Sequence, residues 1–227
     1  MAIVPSLLYP LCKHVLIGPM LTRRITLTVD GTDLVPTRGP LIVAANHLAE
    51  IDSLVVPLAI RRRLSFLAKA EYFTGSGIRG RAARAFFAGT GQIPVDRSGG
   101  DGAALDAAER VLRGGGAWAI YPEGTRSPDG RLHRGHTGAL RVAARVPGTM
   151  IVPVVVDGTA AVNPSGSRRV GRGQVSVRIG EAVAADDLLG PAADVRAGTD
   201  ALMAIIRDLG GLEYVDEYVR RRGGGDR

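Results

Sequence analysis

The feature that most constrains this chain is a repeated switch between short β-prone runs and helix-compatible windows. The runs are ITLTV (25–29), LIVAA (41–45), LSFLA (64–68), QIPV (92–95), AWAIY (117–121), MIVPVVV (150–156) and QVSVRIG (174–180). Helical windows fall at about 49–60, 80–88, 101–113, 137–146 and 194–209. Strands that alternate with helices build a parallel or mixed sheet with helices packed on its faces. The expectation is a single-domain α/β fold, with a mixed, mostly parallel central sheet flanked by helices. At 227 residues the chain can bury one substantial core. No internal repeat or linker divides it.

Sheets of this kind collect ligands beyond the carboxyl ends of their strands, where loops lead into helices. Polar clusters stand at three such ends: Asn46 and His47 after LIVAA, Asp96 and Arg97 after QIPV, and Pro122 to Arg126 after AWAIY. Together they could line one cleft.

His47 and Asp52 lie five positions apart. On a regular helix that spacing leaves the side chains about 140° apart, so they do not face each other. They meet only if His47 precedes the helix and bends back over its first turn. A strand ending at Ala45 and a helix starting near Ala49 provide that arrangement. Two readings stay open: a carboxylate that orients an imidazole and leaves its other nitrogen as a base, or a polar cap at a helix start.

Arg97 and Arg126 each end a turn after a strand, where a guanidinium can clamp a phosphate through two hydrogen bonds. Glu123-Gly124-Thr125 adds a carboxylate, a permissive backbone and a hydroxyl. PEGTRSPDG is also simply a good turn sequence.

The formal charge is +7, carried by 27 Arg and only two Lys, Lys13 and Lys69. Such a surface suits anionic partners, whether lipid headgroups, phosphorylated metabolites, nucleic acid or an acidic carrier protein. Abundant Arg, Ala and Gly are equally a mark of genome composition. Four Phe, five Tyr and one Trp offer few stacking platforms, so nucleic acid is not expected. A single cysteine, Cys12, gives no disulfide framework and no cluster with metal-ligand spacing, so no metal is expected. GSGIRG (75–80) matches a dinucleotide fingerprint by letter, but KAEYFT separates it from the preceding strand. Neither G-x-S-x-G nor G-x-x-x-x-G-K-[ST] occurs.

The opening MAIVPSLLYPLCKHVLIGPML is apolar but broken by Lys13 and His14, too short a run on either side to cross a bilayer. No positive charge precedes it and no small-residue cleavage site follows, which argues against a signal peptide. It reads as a segment lying on a membrane surface, or as a first helix packed on the domain's own core. The expected organisation is a membrane-surface segment at 1–22, the main domain at 23–209, and a charged, frayed segment at 210–227.

Taken in order, NHLAEID, GQIPVDR, YPEGTRS and IVPVVV resemble the four sequence blocks of the glycerolipid acyltransferase superfamily, specifically the 1-acyl-sn-glycerol-3-phosphate acyltransferases. The resemblance implies a glycerol-3-phosphate acyltransferase-like fold. It also implies transfer of a fatty acyl group from acyl-CoA or acyl carrier protein to the free hydroxyl of 1-acyl-sn-glycerol 3-phosphate, giving phosphatidic acid. His47 then corresponds to the general base and Asp52 to its orienting partner. Arg97, Glu123, Gly124, Thr125 and Arg126 correspond to residues binding the phosphate-bearing acceptor, Gly91 to a close backbone approach, and Lys69 to a further phosphate ligand. Pro153 corresponds to a residue shaping the acyl or acceptor pocket.

Beyond the donor and the lysophospholipid, the resemblance implies no cofactor and a peripheral or monotopic place at the cytoplasmic face of the cell membrane. Two departures stand out. Ala49 replaces a serine common two residues after the histidine, and His133-Arg134-Gly135 replaces a Phe-Lys-Gly pattern. Alternative acceptors are glycerol 3-phosphate itself or another lysolipid. Outside the enzyme class, the alternative is a non-catalytic module binding anionic lipid.

Overall fold

The computed structural model describes residues 8–69, 74, 76–77, 80–81, 92–95, 100–167 and 169–220. At its centre lies strand β2 (Leu41–Ala45), all five residues of which are buried. It runs parallel to β6 (Ala117–Ile120) on one side and to β8 (Met150–Asp157) on the other. A continuous apolar run is what a strand covered on both faces requires. Successive residues of β2 serve opposite layers. Val43 and Ala45 pack toward α3 (Asp52–Ala59), whereas Ile42 and Ala44 pack toward α4 (Gly100–Arg113), α5 (Gly138–Ala143) and α8 (Val195–Gly210).

Beyond β8 the chain passes through the short α6 (Thr159–Val162) and the sheet continues through β9 (Gly173–Ile179), antiparallel to β8, and ends at β1 (Ile25–Asp30), parallel to β9. Both outer strands alternate more and less buried residues, as half-covered strands do. On the far side, β3 (Leu64–Ser65) closes the order β1-β9-β8-β2-β6-β3. The short β10 (Val183–Ala184) pairs with the start of β8 and leads into α7 (Ala185–Leu189). Four of these ladders are parallel and two antiparallel. The helix-flanked, mostly parallel mixed sheet expected from the sequence is present.

Two details differ from expectation. LSFLA does not form one strand: β3 stays with the central sheet, whereas β4 (Leu67–Lys69) pairs with β5 (Ile93–Val95) in a separate parallel ladder. The break falls at Phe66, which is buried and whose carbonyl accepts the Ile93 N–H. The helix after β2 begins at Asp52, not near Ala49. Of the window at 80–88, only Gly80 and Arg81, both helical, lie among the described residues.

The C-terminal segment, expected to fray, is tied down as far as Tyr218. Its β11 (Tyr214–Val215) pairs with β7 (Leu132–His133), and Arg134 N–H donates to the Glu217 carbonyl. Strands this short carry no periodic signal in sequence.

From Leu8 onward the N-terminal segment is helical, as α1 (Leu8–Leu11), a π-helical turn (Cys12–Ile17) and α2 (Gly18–Thr22). Cys12, Lys13, Gly18 and Leu21 are buried, and the Lys13 ammonium donates to the Ile60 carbonyl at the end of α3. Removal from water pushes the Lys13 pKa down. Leu11, Val15, Leu16 and Met20 instead face outward, each 46–59% exposed. The segment therefore packs on the core with one side and presents an apolar side to its surroundings. No helix among the described residues is long and apolar enough to cross a membrane.

Candidate active site

Because β2 and β6 pair with Ala44 opposite Ile120, the loops that follow them leave the sheet side by side. Asn46 fixes the exit from β2. Its amide donates to the Val156 carbonyl at 2.9 Å, and its carbonyl accepts the Val156 N–H at 2.7 Å. A side chain thus extends the β2–β8 pairing by one step while the backbone turns away.

The next residue, His47, is held at both backbone atoms. Its N–H donates to Glu123 Oε2 at 3.0 Å, and its carbonyl accepts the Ser127 N–H at 2.7 Å. Its ring meets Asp52, Nδ1 to Oδ2, at 2.8 Å. The same oxygen accepts the N–H groups of Leu48 at 2.7 Å and Ala49 at 2.9 Å. One carboxylate oxygen thus meets the imidazole and also organises the turn into α3, although the N-cap of that helix is Ile51 and has no side-chain cap. No serine is needed at position 49, because Asp52 takes that N–H itself.

With an acceptor at Nδ1, the neutral ring carries its proton there and leaves Nε2 with a free lone pair. Asp52 is fully buried, whereas the His47 side chain keeps 16% exposure. A buried acceptor behind a partly open imidazole is the geometry of an oriented base.

Glu123 lies at the turn after β6, 1% exposed. Its other oxygen, Oε1, accepts the His133 N–H at 3.0 Å. Burial raises its pKa to about 7, only partly offset by the two backbone donors from His133 and His47. The carboxylate is thus engaged with backbone on both oxygens, and it braces the site from behind. Gly124 has φ +73, and a Cβ there would lie 3.0 Å from His136 Cδ2. Thr125 is half-buried. The Arg126 guanidinium, one-third exposed, pairs with Glu50 at 3.1 Å on the surface.

Gly91 and Arg97 lie outside the described residues, as does the side chain of Lys69, whose backbone belongs to β4. Pro153 is inside strand β8, opposite Ala44, where the neighbouring edge passes from β9 to β10. Its ring would lie 2.9 Å from a Cβ on Gly180. A proline lacks the N–H a ladder needs, and this gap between ladders accommodates it.

Of the departing stretch 133–135, His133 bonds Asp129 through Nε2 at 2.9 Å, and the Arg134 guanidinium lies over the Tyr218 ring. Gly135 offers its carbonyl to Arg196 at 2.8 Å. These residues join the site's rear wall to α8 and the C-terminal segment. A cavity of about 280 Å³ beside them is lined by Arg134, Asp200, Ala204, Arg207, Tyr214 and Asp216, none of which contacts His47. Among the described residues, no group of three His, Cys, Asp or Glu side chains could hold a metal ion.

The sequence reading did not single out Tyr121 or Ser53. The Tyr121 ring stacks on the His47 imidazole with centroids 3.9 Å apart and planes inclined by 10°. Its hydroxyl lies 3.2 Å from Ser53 Oγ. Their signal was positional: Tyr121 directly follows the strand paired with β2, and Ser53 follows Asp52.

Residues 26–157 match the family model described as acyltransferase. Among curated proteins, the chain is 29% identical over 148 residues to the chloroplastic 1-acyl-sn-glycerol-3-phosphate acyltransferase LPAT1 of Arabidopsis thaliana, covering 63% of this chain and 39% of that protein. It is 28% identical over 146 residues to the chloroplastic 1-acyl-sn-glycerol-3-phosphate acyltransferase BAT2 of Brassica napus, covering 63% and 40%. The match thus spans about two-fifths of these relatives' length. Among solved structures, the 1-acyl-sn-glycerophosphate acyltransferase PlsC of Thermotoga maritima superposes with a TM-score of 0.68 at 23% identity, over 86% of this chain and 76% of that one. At that identity the likeness is one of fold.

Proposed function

The chain belongs to the acyltransferase family, and from that premise we propose that it acylates the free hydroxyl of 1-acyl-sn-glycerol 3-phosphate to give phosphatidic acid. The acyl donor is a thioester, acyl-CoA or acyl-carrier protein. The observation that carries this reading is the 2.8 Å contact between His47 Nδ1 and Asp52, which leaves Nε2 as the free basic atom. The names of the two plant relatives support the choice of acceptor.

In the proposed reaction Nε2 takes the proton of the acceptor hydroxyl as its oxygen attacks the thioester carbonyl carbon. The new C–O bond forms, the C–S bond breaks, and the proton passes from the imidazolium to the departing thiolate. Asp52 stabilises the imidazolium in between. Such a base contributes roughly 10²- to 10⁴-fold in rate. Arg126, with Arg97 and Lys69, binds the acceptor's phosphate and so positions its hydroxyl. Support for Arg126 is its exposed pairing with Glu50, a bond worth at most about 1 kcal/mol and readily exchanged for a phosphate. Glu123 acts through the backbone it holds rather than on the acceptor.

The outward residues Leu11, Val15, Leu16 and Met20 support docking at a membrane surface. The segment rests on the far end of α3, whose first residue is Asp52. Eight residues of helix span about 12 Å, so the lipid interface and the base lie close together.

A panel of acceptors tests the reading: 1-acylglycerol 3-phosphate, glycerol 3-phosphate and a neutral lysolipid, each with an acyl thioester and positional analysis of the product. Preferred formation of phosphatidic acid is expected. Preference for glycerol 3-phosphate would move the acceptor assignment, and no transfer to any of them would leave only lipid binding.

A further inference from the structure

Resting on His47 as the base, we propose that Tyr121, keyed by Ser53, sets the plane of the His47 ring and thereby the line along which Nε2 meets the acceptor hydroxyl. A hydrogen bond at Nδ1 fixes one point of an imidazole. The ring can still pivot about that contact, and the pivot carries Nε2, on the opposite side, through an arc. Productive transfer needs reacting atoms held within a narrow geometry, and a misplacement of about 1 Å can cost 10²-fold.

Tyr121 supplies a further constraint. Its ring lies nearly parallel to the imidazole at 3.9 Å, so tipping Nε2 out of the ring plane toward Tyr121 drives one ring into the other, and tipping it away forfeits the stacking contact. The Tyr121 ring is itself fixed from three directions. Its backbone follows directly on β6, Phe66 packs beside it at 5.9 Å, and its hydroxyl contacts Ser53. Ser53 is the neighbour of Asp52 on α3. One helical turn therefore places both the carboxylate that anchors Nδ1 and the hydroxyl that registers the stacking plate. Removal of the phenol from water, together with the nearby Asp52 charge, pushes its pKa upward, so it stays a neutral hydrogen-bonding partner.

Tyr121 is thus a positioning residue, and a mere core filler in its place behaves differently. Tyr121→Leu fills apolar volume without a plate. Its kcat for acyl transfer should fall on the order of 10- to 100-fold, with the acceptor KM held within twofold. Tyr121→Phe keeps the plate and should restore kcat to within about tenfold of wild type. Because Tyr121→Phe and Ser53→Ala remove the same hydroxyl contact, the double variant should be no slower than the slower single one. Proton NMR of specifically labelled histidine reads the geometry directly: the His47 ring protons should carry an upfield ring-current shift that Phe retains and Leu abolishes.

Wild-type kcat in Tyr121→Leu, an effect on KM alone, or additive losses in the double variant would overturn the proposal. If Tyr121→Leu does not fold, the Tyr121→Phe and Ser53→Ala cycle decides by itself. His47→Ala separates the two levels. Retained turnover there removes the base, whereas loss of turnover there with full kcat in Tyr121→Leu removes only the positioning role.

Discussion

Glu123 Oε2 accepts the backbone N–H of His47 at 3.0 Å, tying the turn after β6 to the residue that opens the loop after β2. Its partner oxygen does the same for His133. One buried carboxylate thereby braces its own turn, the stretch at His133 and the loop at His47, 76 residues away in sequence. The two donors favour its charged form, burial opposes that form, and burial wins, bringing the pKa from 4.5 to about 7.

This carboxyl makes stability pH-dependent. Below about pH 4.5 it is protonated in folded and unfolded chains alike, and its contribution is fully present. Between about 4.5 and 7 the unfolded chain releases the proton while the folded one retains it, so stability falls as pH rises. A swing on the order of 3 kcal/mol is expected over that window. Urea unfolding of wild type and Glu123→Gln across pH 4 to 8 checks it: the difference should decline up to about pH 7 and then flatten. A difference independent of pH would show that burial does not control this group.

Asp52 has separable duties, orienting the imidazole and holding two backbone N–H groups. Asp52→Asn can keep one oxygen in place for all three partners but lacks the negative charge that stabilises the imidazolium. We expect kcat to fall roughly 10²- to 10⁴-fold with little change in folding stability. Asp52→Ala should lose similar activity and, in addition, about 1–3 kcal/mol of stability, because it leaves the Leu48 and Ala49 N–H groups without their acceptor. Thermal unfolding beside steady-state kinetics separates the duties.

At Gly124, φ +73 and the 3.0 Å approach to His136 act together. Gly148, at φ +76, has open space around its missing Cβ. Alanine at Gly148 should therefore report the backbone cost alone, about 1 kcal/mol, and alanine at Gly124 should cost more and also lower kcat/KM. Equal stability losses at the two sites would mean that the His136 contact yields freely.

Much of this arrangement was legible in sequence, and the limits have physical causes. LIVAA, AWAIY and MIVPVVV showed themselves because strands buried on both faces must be continuously apolar. The meeting of His47 and Asp52 followed from helix geometry once the strand before them was placed. LSFLA misled because a change of ladder at Phe66 leaves no mark on hydrophobic pattern. The pairing of β11 with β7 was invisible because two-residue strands have no period. Tyr121 escaped notice for a different reason: an aromatic ending a strand reads as core, and only the register of β2 against β6 reveals which ring it meets.

The outward apolar side of the N-terminal segment invites a test of docking. Replacing Val15 and Leu16, 59% and 57% exposed, by Asp should leave the fold intact, because neither fills the core. Co-sedimentation with vesicles containing phosphatidylglycerol should then fall at least tenfold, since two apolar side chains of this size bring about 1.5–3 kcal/mol each on burial. Undiminished binding would place the lipid contact elsewhere on the chain.

Acyl transfer, on this mechanism, depends on His47 as the base that activates the acceptor hydroxyl. The most direct measurement of that dependence is single-turnover transfer of a labelled acyl group from a thioester donor to saturating 1-acylglycerol 3-phosphate, comparing wild type with His47→Ala. The expected result is labelled phosphatidic acid from wild type and a rate at least 10²-fold lower from the variant, with acceptor binding retained. Transfer by His47→Ala at a rate near wild type would contradict it.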